Sequence, residues 1–171
     1  MRTSYCMAIY LLPSANFIPL GTFSDDDTVP EDAPSKLWWK LLEEAFEKIG
    51  RPIPKIDRFP KLLEDAGFEN VQFQMIKRPV NDWPKDPKMK EIGRYSCLNY
   101  LEGLEGFTMA PFTRVLGWSP EEAQVLIAKV RKETVTRRIH GWQKGVVCYA
   151  QKPLRPAATA GTAASTSTTS A

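Results

Sequence analysis

The chain has 171 residues, which is enough for one domain and hardly for two. It is 43% hydrophobic and 25% charged, values typical of a soluble globular protein. Its formal net charge of +3 comes from 23 basic and 20 acidic residues mixed along the same segments, an excess too small to indicate a nucleic-acid-binding protein.

The N-terminal run MRTSYCMAIYLLPSANF fits two different structures. Its apolar stretch from Tyr5 to Leu12 has the length of a signal-peptide core, and it also fits a buried strand. We favour the strand, and a small secreted protein stays open as an alternative. No stretch approaches the roughly 20 apolar residues of a membrane span, so we expect no membrane partner.

The acidic loop SDDDTVPEDAP, residues 24–34, is followed by a predicted helix that Ser35 is expected to cap. Gly50 stands in the usual position after the last turn of this helix. Its apolar residues recur at helical spacing and predict one buried face: Trp38, Leu41, Leu42, Ala45 and Ile49.

A short second helix is predicted by apolar residues at i, i+3, i+4 and i+7, namely Phe59, Leu62, Leu63 and Ala66. Gly67 supplies a left-handed stop. A half-buried strand follows, because Val71, Phe73 and Met75 alternate with glutamines.

Asp86 caps a third predicted helix, which is expected to run to about Leu101. The next segment is expected to break into short helical pieces at Gly103, Gly106, Pro111 and Gly117. The residues SPEE at 119–122 start a fourth helix with a capping box. Its apolar stripe is Ala123, Leu126, Ile127 and Val130.

The apolar run from Val146 to Ala150 predicts a strand buried on both faces. Residues 145–151 match residues 71–77 in length, and we expect these two segments to pair antiparallel. After Pro153 the composition becomes Ala, Thr and Ser, which predicts a disordered tail over residues 154–171.

The chemistry-bearing residues form no recognisable catalytic group. Cys6, Cys97 and Cys148 lack metal-ligand spacing, so we expect reduced thiols, a cytoplasmic or nuclear location and no bound metal. His140, the only histidine, is interpreted as the residue that leads into the last strand rather than as a base. The sequence contains neither a glycine-rich phosphate loop after a strand nor a serine in a glycine elbow.

Several long stretches nevertheless resemble a known family. SDDDTVPEDAPSKLWWKLLEEAFEKIGRPI, KLLEDAGFENVQ, WPKDPKMKEIGRYSCLNYLEGLEGFTMAPFTRVLGWSPEEAQVLIAKVRKE and RRIHGWQKGVVCYAQKP resemble class I S-adenosylmethionine-dependent methyltransferases of filamentous fungi. This group includes regulators of secondary metabolism. The resemblance covers residues 24–153, and residues 1–23 match poorly.

The resemblance implies an α/β fold: the C-terminal half of a Rossmann-like class I methyltransferase, with an antiparallel strand pair and a helical insertion. The family binds S-adenosylmethionine at a glycine-rich turn and an acidic residue that are missing from this sequence. It therefore implies a truncated member that does not bind the cofactor alone and is inactive alone. In the family the methyl acceptor is a small molecule.

The residues that we assign to the substrate side lie in the insertion: Trp83, Arg94, Tyr95, Asn99 and Glu102. The alternative is structural, with Tyr95 in the core and Arg94 paired with Glu91 or Glu102. The remaining tryptophans are interpreted as core residues: Trp38, Trp39, Trp118 and Trp142.

A second function is compatible with these residues, namely a non-catalytic module that docks on a full-length methyltransferase or a regulatory protein. An uncovered strand edge recruits other chains, and helices without their usual neighbours expose apolar surface. We therefore expect a protein partner at the sheet edge, and a sticky surface that includes Trp38, Leu41 and Leu42.

Overall fold

A computed structural model describes residues 21–53 and 55–153, with only the backbone of Ile56 included. The strand predicted within residues 1–20 and the predicted disordered tail lie outside the described residues. Within these residues, two strands and four α-helices follow one another. In order they are α1 (Pro34–Lys48), α2 (Phe59–Asp65), β1 (Glu69–Pro79), α3 (Pro87–Ala110), α4 (Pro120–Val135) and β2 (Trp142–Gln151).

The hydrophobic core lies among α1, α3 and α4. Trp38, Leu104 and Phe112 are fully buried there, and the indole Nε1 of Trp38 donates a hydrogen bond of 2.7 Å to Thr108 Oγ1. The apolar stripe predicted for α4 is buried as expected. The interpretation of the tryptophans as core residues is confirmed for Trp38, Trp39 and Trp142, which are buried, and Trp118 packs against this core.

The expected sticky surface on α1 is wrong. Trp38 and Leu42 are buried, and Leu41 packs against the same core, because α3 and α4 together cover this face of α1. Ile49 follows the last residue of the helix and is exposed.

Ser35 does not cap α1, which begins one residue earlier, at Pro34. Its backbone N–H and its Oγ instead donate hydrogen bonds to the carboxylate of Glu133 on α4, at 2.9 and 2.6 Å. The serine therefore joins two helices rather than closing the end of one.

The predicted break after Leu101 is also wrong, since α3 continues through Gly103 and Gly106 to Ala110. Each glycine costs a helix interior about 1 kcal/mol relative to alanine. Burial of Tyr100, Leu104 and Thr108 on the core side outweighs that cost. Pro111 then begins a π-helical turn, Pro111–Val115.

The helix start at Ser119 is confirmed as a capping box. Ser119 Oγ accepts a hydrogen bond from the Glu122 backbone at 3.1 Å, and the Glu122 carboxylate accepts one from the Ser119 backbone at 2.8 Å. Gly67, as predicted, ends the α2 region in a left-handed conformation with φ of +81°.

Strands β1 and β2 pair antiparallel, which confirms the prediction, in a register that runs from Gln72 opposite Tyr149 to Pro79 opposite Trp142. The strands are less covered than predicted. Phe73 and Met75 are exposed on one face, while Ile76, Val147 and Tyr149 are exposed on the other. The predictions of a half-buried β1 and of a β2 buried on both faces are therefore wrong for the described part of the chain, in which α2 and α3 contact β1 without covering these side chains.

In the described ranges, no helix is both long enough and apolar enough to cross a membrane.

Candidate functional site

Three chain segments meet at one end of the sheet. β1 finishes at Pro79 opposite Trp142, the first residue of β2. On the other side, Phe23 and Trp142 form an antiparallel bridge through two backbone hydrogen bonds of 2.9 and 2.8 Å. The loops that follow Phe23 and Pro79 and the loop that precedes Trp142 therefore share this end. Six polar side chains of these loops, together with Arg94 of α3, form what we call the sheet-end cluster: Asp26, Thr28, Asp82, Trp83, Arg94, Arg137 and His140.

His140 is bound to the acidic loop by two contacts. Its Nδ1 lies 2.5 Å from Asp26 Oδ2, and its backbone N–H donates to Thr28 Oγ1 at 2.8 Å. Thr28 Oγ1 in turn donates to Asp26 Oδ1 at 2.8 Å. Hydrogen bonds from Thr28 and then from His140 lower the pKa of the Asp26 carboxyl, because they stabilise its ionised form.

Trp83 covers the imidazole. The two ring centroids are 4.9 Å apart with their planes inclined by 31°, and Trp83 Nε1 donates to the Gly141 carbonyl at 2.9 Å. The backbone N–H of Trp83 donates to Asn81 Oδ1 at 3.0 Å, and Asn81 Nδ2 donates to the Thr134 carbonyl at 2.9 Å. This chain of bonds anchors the indole to the end of α4.

Asp82 is the ionic centre of the cluster. Arg137 donates to its two carboxylate oxygens at 2.8 and 2.7 Å, and Nε of Arg94 lies 3.7 Å from Oδ2. Partial desolvation acts to raise the pKa of Asp82, but the hydrogen bonds and the charge of Arg137, with a contribution from Arg94, outweigh it and lower this pKa. Two guanidinium groups therefore contact one carboxylate, and with Asp26 the sheet-end cluster carries two positive and two negative side chains.

Two stacked aromatic rings fix the strands beside the cluster. The centroids of Phe23 and Trp142 are 5.1 Å apart. The ammonium of Lys77 lies 4.6 Å from the Trp142 ring and that of Lys144 lies 4.8 Å from the Phe23 ring, so each ring carries a cation on its face. Lys77 also pairs with Asp25 at 2.7 Å.

The five residues assigned to the substrate side divide into two groups. Trp83 and Arg94 belong to the sheet-end cluster. Tyr95, Asn99 and Glu102 are exposed further along α3. The structural alternative fails in its details, because Tyr95 is 65% exposed and Arg94 pairs with Asp82. The assignment of all five residues to a ligand stays a prediction.

His140 lies two residues before Trp142, the first residue of β2, and so leads into this strand as interpreted from the sequence. Sequence reasoning missed its partner. Asp26 and His140 are 114 positions apart, and no local pattern signals a contact over that separation. In the described ranges, no three histidine, cysteine or acidic side chains are grouped as metal ligands.

Most of the chain is similar in sequence to curated fungal methyltransferases. It is 42% identical over 131 residues to Methyltransferase pytC of Aspergillus terreus, covering 77% of this chain and 40% of that protein. It is 38% identical over 130 residues to a secondary metabolism regulator of Cochliobolus heterostrophus, covering 75% of this chain and 42% of that protein. A protein-methionine methyltransferase of Emericella nidulans is 33% identical over 131 residues, covering 76% of this chain and 35% of that protein.

The chain thus spans about 40% of the length of the curated relatives that it matches. No family model matches the chain. No solved structure matches it either.

Proposed function

We propose that this chain, a homologue of fungal methyltransferases and of fungal secondary-metabolism regulators, forms the methyl-acceptor side of an S-adenosylmethionine-dependent methyltransferase. The observation that carries the proposal is the sheet-end cluster. It combines an aromatic surface, an imidazole and two guanidinium groups at the carboxyl end of β1. In open α/β sheets, ligands bind outside the carboxyl ends of the strands.

In this proposal β1 and β2 are an antiparallel edge of a Rossmann-like sheet, and α3 and α4 form the helical insertion that covers the acceptor. Trp83 and Arg94 face the acceptor directly. Tyr95, Asn99 and Glu102, which are exposed along α3, extend the same surface. The acceptor is a small molecule, and the protein acts by holding it in line with the methyl donor. We place this function in the cytoplasm or the nucleus, because Cys97 and Cys148 are free thiols.

In this proposal the chain does not bind the methyl donor by itself. The acidic side chains of the cluster are already engaged, Asp26 by Thr28 and His140 and Asp82 by Arg137. Neither is free to bind the ribose hydroxyls of S-adenosylmethionine, which is the task of the acidic residue in such folds.

Isothermal calorimetry of the full chain with S-adenosylmethionine tests this assignment. We expect a dissociation constant weaker than roughly 100 μM, equivalent to about −5.5 kcal/mol. The Aspergillus terreus methyltransferase, titrated in the same buffer, is the positive control. Binding to this chain with an affinity tighter than that limit would contradict the assignment.

The acceptor side is tested in a graft chimera, in which residues 24–153 of this chain replace the matching segment of the Aspergillus terreus methyltransferase. We expect the chimera to bind S-adenosylmethionine and to methylate an acceptor of the parent enzyme. Cofactor binding without any methyl transfer to that acceptor would count against the acceptor-side role.

A second candidate function is a docking module for a full-length methyltransferase or a regulator. The observation that favours it is the exposed apolar face of the sheet that carries Phe73, which is 40% exposed, and Met75, which is 53% exposed. Such side chains are buried when an apolar partner surface packs on the sheet. Co-elution of this chain with a full-length relative in gel filtration tests this candidate, and separate elution at micromolar concentrations would reject it.

A further inference from the structure

The contact between His140 and Asp26 determines which imidazole nitrogen carries the proton. The lowered pKa of Asp26 keeps its carboxylate ionised at neutral pH, so Oδ2 can only accept a hydrogen bond. Nδ1 of His140 lies 2.5 Å from that oxygen. In the neutral imidazole Nδ1 must therefore be the protonated nitrogen, and Nε2 carries the free lone pair.

The ring is also held in place before any ligand arrives. Asp26 binds one edge, Trp83 stacks on the imidazole ring, and Thr28 Oγ1 accepts the backbone N–H of His140. None of the residues in the described ranges hydrogen-bonds to Nε2, and the His140 side chain is 40% exposed. The result is an oriented lone pair that points away from the group that orients it, as in a catalytic imidazole held by a carboxylate.

We propose that His140 is the proton acceptor of this site and that its partner is a phenolic hydroxyl of the methyl acceptor, with Asp26 as the positioning residue. This inference rests on the proposed function. A phenolic hydroxyl becomes more acidic as its oxygen bonds to the methyl carbon, so a free imidazole lone pair within hydrogen-bond reach can take its proton during the reaction.

The reaction balances without a further reactant if the donor is a methylsulfonium compound. The phenolic O–H proton moves to Nε2 of His140 while the oxygen forms a bond to the methyl carbon. The carbon–sulfur bond breaks and its electron pair stays on sulfur, which becomes a neutral thioether. His140 leaves the step as an imidazolium paired with the Asp26 carboxylate.

The single histidine makes this inference directly measurable by NMR, because every imidazole signal of the untagged chain comes from His140. In the ¹⁵N-histidine-labelled full chain at pH 8 we expect a protonated Nδ1 and an unprotonated Nε2, the opposite of the tautomer that free histidine favours. Asp26→Asn should populate both tautomers. A wild-type chain with the proton on Nε2 would overturn the inference.

Binding is then probed with phenol, with its methyl ether anisole and with n-butylammonium. Phenol should shift the Nε2 resonance, while anisole, which has no proton to donate, should leave it unchanged. His140→Asn keeps a donor toward Asp26 but removes the Nε2 acceptor, and it should weaken phenol binding roughly fivefold or more without lowering the melting temperature. The assignment would be overturned if phenol left the Nε2 resonance unshifted, or if n-butylammonium shifted it and phenol did not.

The two proposals fail separately. In the graft chimera, methyl transfer to a phenol that is as fast with His140→Asn as with the native residue would refute the role of His140 and leave the acceptor side intact. A chimera that transfers no methyl group, combined with the expected phenol response of Nε2, would refute the acceptor-side function and leave the His140–Asp26 pair as a phenol-binding group.

Discussion

Gly93 and Gly106 both lie on α3, but their surroundings are opposite. A Cβ atom at position 93 would lie 2.0 Å from the carbonyl oxygen of Asn81, whereas a Cβ at position 106 would meet nothing within 4 Å. The contact at Gly93 holds α3 against the loop that carries Asp82 and Trp83. The glycine therefore has a packing function that its neighbour along the helix does not share.

Gly93→Ala should destabilise the protein by about 1–3 kcal/mol, since either α3 or the loop at Asn81 must move. Gly106→Ala is the matched control and should stabilise it by roughly 0.5–1 kcal/mol, because alanine favours a helix interior. Urea denaturation followed by circular dichroism measures both changes. Equal effects of the two substitutions would mean that the close approach at Asn81 does not exist.

The pairs made by Asp82 link stability to pH. Its folded-state pKa is lowered from 3.8, so the stabilisation is fully present above the unfolded value and is lost as pH falls through the lower folded value. We expect Asp82→Asn to flatten the fall of the melting temperature below about pH 4. Arg137→Gln should have the same effect, because it removes the main partner of Asp82. If the melting temperature of both variants falls below about pH 4 as steeply as that of the wild type, this account is wrong.

Trp83 and Arg94, which were assigned from the sequence, lie in the sheet-end cluster, and their role there stays a prediction; the sequence did not pair His140 with Asp26. Trp83 and Arg94 stand out as an aromatic and a cation near the start of a predicted helix. The His140–Asp26 contact depends on the bridge between Phe23 and Trp142, which brings two distant loops to the same end of the sheet. A tertiary contact of this kind leaves no periodic signal in the sequence.

Helix α4 was predictable because its start and its buried face are both local features. The capping box at Ser119 and Glu122 and the apolar stripe are each contained within a few turns. The length of α3 was not predictable from local preference, because glycines at 103 and 106 are tolerated only when the opposite side of the helix is buried. The pairing of β1 with β2 was predictable because the two segments match in length. The burial of their side chains was not predictable, since it depends on which helices pack on the sheet.

The exposed sheet is the element from which we expect self-association. Phe73 and Met75 are alternate residues of β1 and project from the same face. The double substitution Phe73→Lys with Met75→Lys should reduce binding of a hydrophobic dye and shift the gel-filtration peak toward the monomer. Leu37→Lys on α1, where the native leucine is 46% exposed, is the control and should change neither quantity. A wild-type chain that elutes as a sharp monomer and binds no dye would contradict the expectation.

The described part of the molecule has a buried helical core and a sheet that is open on both faces. The core residues of α1, α3 and α4 bury one another, so this part resembles the interior of an ordinary domain. The sheet retains exposed apolar side chains, and its end carries the polar cluster. In the described part of the chain, the apolar core and the sheet-end cluster are thus separate groups of residues.

The whole-chain features that the sequence predicted were the antiparallel pairing and the relationship to fungal methyltransferases. The pairing is observed in the register from Gln72 to Pro79, and the relationship is shown by identities of 33–42% with the relatives compared above. The sequence could not show which end of the sheet gathers polar side chains, because that depends on the loop after Phe23 folding back beside β2.

The rate of methyl transfer by the graft chimera, with and without Trp83→Ala, tests the acceptor-side role most directly. Calorimetric binding of S-adenosylmethionine to both chimeras serves as the control for folding and for the donor site. We predict that both bind the cofactor equally and that Trp83→Ala lowers kcat/KM by at least about tenfold, because the acceptor loses its aromatic surface and its alignment. If both chimeras bind the cofactor and transfer methyl groups at the same rate, the sheet-end cluster is not the acceptor side.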